Sequence, residues 1–186
     1  MTATPNGQSG FSLIETIIAM GILATGLLGL AGVFTLGLTH MATSSANLIA
    51  REKAREAIES VHTARDTRTI VWCQIYNVGS IRTGDCSGQP AGVFLDGEQP
   101  IKDPGDDGLV NTADDGAVSK LPGPDGVLGT GDDITLSNFT RTIVITNVLE
   151  GTTPNENLKQ IVVTIKYNVG PIKRTYTLTT YVSAIS

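Results

Sequence analysis

The chain of 186 residues predicts an α+β fold from three features. Residues 11–38 are apolar with one charge, Glu15, and apolar residues keep a helical spacing to residue 66. Three segments of the last third alternate apolar with polar residues, the period of strands that bury one face. Between these regions, residues 85–138 sustain neither period. The expected architecture is a long N-terminal helix, half transmembrane and half amphipathic, packed on a C-terminal antiparallel β-sheet. An acidic, turn-rich insertion interrupts the head.

The first element follows residues 1–10, read as a leader. The apolar segment 11–38 exceeds the ~20 residues that span a bilayer. It also exceeds the ~7–15 of a secretory signal, and residues 1–10 lack the basic charge such signals carry. A transmembrane and assembly helix is the better reading. Residues 39–66 continue it amphipathically, free of Pro and Gly, with Leu48, Ile58 and Val61 as the expected core stripe. Extended from Phe11 to Asp66, such a helix is about 80 Å long, more than any bilayer. Its second half must therefore lie against a soluble domain or along a filament.

Residues 67–186 form the expected globular head. Thr69–Val78 is β-branched and aromatic and reads as a strand ended by Gly79-Ser80. The region 139–183 reads as a three-stranded antiparallel sheet: Phe139–Val148, Leu158–Asn168 and Ile172–Val182. Val169-Gly170 lies in a tight link between the last two strands, and Glu150–Asn157 in a longer, exposed one. Cys73 and Cys86 are either a disulfide of a domain displayed outside the cytoplasm or two unrelated thiols. A disulfide of this span stabilises by ~3 kcal/mol in the chain-entropy model.

Charge is unevenly placed. The net charge is −5, yet Asp96–Asp133 holds ten acids against two bases, Lys102 and Lys120. An acidic chain argues against nucleic acid as the main partner. The basis for a nucleic-acid reading is confined to Arg141, Lys159, Lys166, Lys173 and Arg174. Within the insertion, Asp107-Gly-Leu-Val-Asn-Thr-Ala-Asp-Asp115 recurs 18 residues later as Asp125-Gly-Val-Leu-Gly-Thr-Gly-Asp-Asp133. Hard cations take several oxygens around a tight turn in which a Gly permits the bend. As a twelve-residue calcium loop, residues 103–114 offer Asp103, Asp107, the Leu109 carbonyl, Asn111 and Asp114, with Gly108 at the turn. This resembles EF-hand loops and, more closely, dockerin-type loops. Gly105 stands where a third side-chain ligand is usual, and no helix evidently follows. The second copy offers Asp125, Asp132 and Asp133. The alternative is a solvated acidic loop that binds nothing.

Glu15 is the first functional suspect, because a carboxylate in a hydrocarbon-compatible helix costs at least ~2.5 kcal/mol. It ends the string Gly10-Phe11-Ser12-Leu13-Ile14-Glu15. That string resembles the type III signal of type IV pilins and pseudopilins, and the resemblance covers residues 8 to about 66. It implies cleavage between Gly10 and Phe11 by a prepilin peptidase, N-methylation of Phe11, and pairing of Glu15 with a neighbouring subunit's terminus. Gly26-Leu27-Leu28-Gly29-Leu30-Ala31-Gly32 narrows the likeness to PilV-type minor pilins. The implied protein is no enzyme but a structural minor pilin of a type IV pilus-like filament. Its partners are other pilin subunits, the peptidase and the inner membrane. Before assembly it sits in the inner membrane with its head in the periplasm, and afterwards in an extracellular pilus or a periplasmic pseudopilus. The alternatives are a pseudopilin of a type II secretion system and a monomeric membrane-anchored calcium-binding adhesin or receptor.

Overall fold

The computed structural model describes residues 12–82 and 84–184. The expected cleavage pair, Gly10 and Phe11, lies outside the described residues. The chain forms two compact units, residues 1–44 and 45–186. One helix, α1, spans Leu13–Asp66 and contributes to both.

In the first unit the described residues are helical from Leu13, and the large apolar side chains stand exposed, from Ile18 at 56% to Leu13 at 78%. A stretch of α1 is long and apolar enough to cross a membrane, and none of it is buried within the chain. Its threonines hide their hydroxyls. Thr25 donates to the Ile22 carbonyl, Thr35 to Ala31 and Thr39 to Thr35, each at 2.9 Å. Hydrocarbon offers no partner for a hydroxyl, so this internal satisfaction suits a membrane span.

The second unit begins with the rest of α1. Ala50, Ala54, Ala57, Val61 and Ala64 recur at steps of three and four and are buried at 4% exposure or less. This mostly alanine face brings the helix backbone close to what it covers. The expected stripe is corrected in part: Val61 is buried and Ile58 packs at the core's margin, but Leu48 is 68% exposed. The helix turns its small residues inward, so a stripe chosen by side-chain size falls out of phase.

The strand expected over Thr69–Val78 does not form. Arg68 turns the chain with φ 59°, and Trp72–Gln74 is a single 3-10 turn. Ile75, Tyr76 and Asn77 are buried in succession, without the alternation of a half-buried strand. Cys73 and Cys86 are joined as a disulfide, with Cα atoms 5.2 Å apart.

The main sheet is antiparallel in the order β1-β4-β5-β6, formed by Gln99–Pro100, Phe139–Glu150, Thr153–Val169 and Ile172–Ser183. β5 starts earlier than expected, so the link placed at 150–157 is the two-residue turn Gly151-Thr152, with Glu150 opposite Thr153. Gly151 adopts φ 66°, which a tight hairpin turn favours glycine to supply. A bulge between Asn147 and Val148 absorbs the extra residues of β5. The insertion is more ordered than its lack of period implied. It supplies β1 and a small hairpin, β2 (Lys120–Leu121) with β3 (Ile134–Thr135), and it buries Ile101, Leu109, Val110 and Leu136. These apolar residues are scattered among turns, so no window of the sequence reveals them.

Candidate functional site

The two acidic repeats fold alike. In loop 1 (residues 103–116) Asp107 Oδ1 accepts the Leu109 N–H, and in loop 2 (residues 121–134) Asp125 Oδ1 accepts that of Val127, both at 2.8 Å. Asp115 accepts from the Asn111 amide as Asp133 does from that of Gly129, again at 2.8 Å. The Thr112 hydroxyl donates to Asp114 and the Thr130 hydroxyl to Asp132. Gly108 and Gly126 share φ near 70°, at 70° and 71°. Gly105 and Gly123 close the likeness, because a Cβ on either would strike the carboxylate of Asp114 or Asp132. This is why no side chain stands at the third ligand place.

The carboxylates are thus largely used as acceptors within the loops. The hydroxyl bond from Thr112 holds the Asp114 carboxyl below its usual range, and that from Thr130 does the same for Asp132. Asp103 has its backbone tied to Gly116 and Ala117. Asn111 is 1% exposed, donates its Nδ2–H to the Leu95 carbonyl at 3.1 Å and leaves its Oδ1 without a partner among the described residues. Asp133 Oδ1 is likewise buried without one. Among the described residues, no three His, Cys, Asp or Glu side chains converge as a metal-binding group.

The bases on the sheet divide in two. Arg141 and Lys159 are both 0% exposed and open to no polymeric partner. Lys159 Nζ donates to the Trp72 carbonyl at 2.6 Å and lies 3.9 Å and 3.8 Å from the ring centres of Trp72 and Tyr76. Burial pushes its pKa down to about 7. The Trp72 indole in turn donates to the Glu156 carbonyl at 2.8 Å, and Tyr76 to Asn147 at 2.6 Å. The segment around the disulfide is thereby stitched to the bulge of β5. Arg141 has no partner for Nε or either Nη among the described residues, and burial lowers its pKa against the pull of Glu56 and Asp115. Parity betrays both: Arg141 is in phase with Ile143 and Ile145, and Lys159 with Ile161 and Val163. Only Lys166, Lys173 and Arg174 face an open cleft, of about 480 Å³, where Lys166 already pairs with Glu98 at 2.5 Å.

The remaining candidate is the start of α1. Ser12 accepts the Glu15 and Thr16 amides at 3.0 and 3.2 Å, and Glu15 sits exposed in the first turn. No described side chain pairs with its carboxylate. A Cβ on Gly21, Gly26, Gly29, Gly32 or Gly37 would meet nothing within 4 Å, so no contact among the described residues requires these glycines. Residues 5–31 match the prokaryotic N-terminal methylation motif. The chain carries a type IV prepilin signal. The signal spans Gly10, Phe11 and Glu15, and it belongs to structural subunits rather than catalysts. It implies processing by a prepilin peptidase, anchoring in a membrane before assembly, and assembly with other pilins. No curated protein and no solved structure matches the chain significantly.

Proposed function

We propose that the protein is a PilV-like minor pilin, a subunit inserted into a type IV pilus-like filament through the first half of α1. The observation that carries this reading is the prepilin signal followed at once by an apolar helical segment whose single acid, Glu15, has no partner among the described residues. Cleavage after Gly10 frees the α-amino group of Phe11. A helix carries Glu15 along the same axis as its own terminus, so the carboxylate pairs more readily with the terminus of a neighbour. That pairing offsets the cost of a charge in hydrocarbon and sets axial register between subunits. Glycines facing open space permit close helix approach in the same assembly. Mass spectrometry of sheared filaments tests the reading. The expected result is a mature chain beginning with N-methylated Phe11, and a Glu15→Ala variant that is membrane-inserted but absent from filaments. An intact Met1 end in filaments, or incorporation of Glu15→Ala at the wild-type level, overturns it. Recovery of the wild-type chain only in membranes favours a monomeric anchored receptor instead.

We further propose that the head binds calcium through the acidic repeats. Support comes from the dense acidic charge and from the unpartnered Asn111 Oδ1 in loop 1. With no three acid side chains converging there, the ion would draw on Asp103, Asp107, Asn111 and Asp114 together with backbone carbonyls such as that of Leu109. Asp125, Asp132 and Asp133 form the second candidate set. Ligand binding to the folded state stabilises by RT ln(1 + [L]/Kd), ~2.7 kcal/mol at a hundredfold excess over Kd. The chain in detergent micelles should therefore melt higher with calcium than with magnesium, and Asp107→Ala with Asp114→Ala should remove most of the gain. Calorimetry without heat and a melting point unmoved by millimolar calcium would return the segment to a solvated loop.

A further inference from the structure

The insertion contains one fold twice, once docked and once undocked. In loop 1 the apolar pair Leu109 and Val110 is buried at 0% and 1%, in a core cluster that includes Ile101, Leu136 and Phe139. The buried Arg141 feels the charge of Asp115 from the same loop. In loop 2 the matching pair, Val127 and Leu128, is 55% and 61% exposed, although the bonds from its Asp125, Asp133 and Thr130 repeat those of Asp107, Asp115 and Thr112 in loop 1. Those bonds fix the conformation of loop 2 before any contact, so little ordering entropy opposes binding. Val127 and Leu128 thus form an exposed apolar pair on an acidic loop whose conformation is set by its own hydrogen bonds.

Loop 1 shows what such a pair packs on: aliphatic and aromatic side chains that take two aliphatic residues, with the buried Arg141 acting electrostatically on one of the loop's carboxylates, Asp115. We propose that loop 2 docks, through Val127 and Leu128, on the head of a neighbouring filament subunit that offers an apolar pocket bordered by an arginine or lysine. The proposal rests on the filament reading above. Filaments are propagated by heterologous contacts, in which a patch on one subunit meets a different patch on the next, and a protruding loop meeting a pocket is a contact of that kind.

The test places a photoreactive phenylalanine analogue at position 128 in the full chain and irradiates sheared filaments. The expected product is an adduct to the head of another filament subunit, on a peptide containing an arginine or lysine. In parallel, Val127→Asp with Leu128→Asp should be processed and should melt as wild type, because both side chains are exposed, yet its occupancy in filaments should fall several-fold. Filaments that contain the wild-type chain but yield no such adduct overturn this proposal alone, as does wild-type occupancy of the double variant. Absence of the wild-type chain from filaments overturns the filament reading, and this proposal with it.

Discussion

Loops 1 and 2 share a hydrogen-bond scheme and differ in burial. Thr112 is 4% exposed and its partner position, Thr130, is half-buried, while Leu109 and Val110 are buried and their equivalents, Val127 and Leu128, are exposed. The comparison separates two contributions that usually act together. Short-range chemistry, namely Asp-Gly turns, a left-handed residue at position 111 or 129 and a Thr-to-Asp bond, suffices to shape the loop. Burial is then decided by what lies beneath, which for loop 1 is the helix, β4 and Arg141. The loop fold is thus local and its docking is tertiary.

The largest expected effect breaks the pair apart by truncation. Leu109→Ala should destabilise the head by about 2–5 kcal/mol, the range for emptying a packed core site. Leu128→Ala should stay within about 0.5 kcal/mol, as exposed substitutions do. Thermal melting of the full chain in micelles measures both, and equal costs would mean that loop 2 is packed in solution as loop 1 is.

A second measurement separates the loops from the strands beneath them. Lys159 has a folded pKa of about 7, well below its unfolded value because of burial. Between pH 7 and the ordinary lysine range the unfolded chain holds a proton that the folded chain has lost, so stability rises with pH there. Below pH 7 both states hold it and the full cost of burying the charge persists. The expected slope is at most about 1.4 kcal/mol per pH unit, and Lys159→Met should flatten it. The loop variants should leave the slope unchanged; a slope altered by Leu128→Ala would tie loop 2 to the strands and spoil the contrast.

The smallest effect lies in the hydroxyls. Thr112 is buried and its hydroxyl also reaches Asp115 at 3.0 Å, so Thr112→Val should cost ~1 kcal/mol, while the half-buried Thr130 should cost less. Asp114 and Asp132 have depressed folded pKa values, so their contribution is present above the unfolded aspartate pKa and lost as pH falls through the folded one. Each Thr→Val change should move that acid limb to higher pH. Amide exchange at Asp125, whose N–H meets Asp132 at 3.3 Å, reports it for loop 2.

Periodicity made the architecture legible: the helix to residue 66 and strands over 139–148, 158–168 and 172–182 follow from spacings of 3.6 and 2 that a single chain segment displays. The hexapeptide Gly10–Glu15 made the prepilin signal legible as well, because a signal read by a peptidase must be local in sequence. The internal repeat disclosed that two loops share one fold, since turn chemistry acts over a few residues. Tertiary structure alone decided the rest. It turned Thr69–Val78 from a strand into a packed turn beside a disulfide, and it chose alanines over Leu48 for the helix's inner face. It buried Arg141 and Lys159, which read as surface bases, and it hid Leu109 while leaving Leu128 outside. Each of these outcomes depends on contacts between residues far apart in the chain. The energies involved, of a kcal/mol or more per buried side chain, exceed the local preferences that a sequence segment expresses.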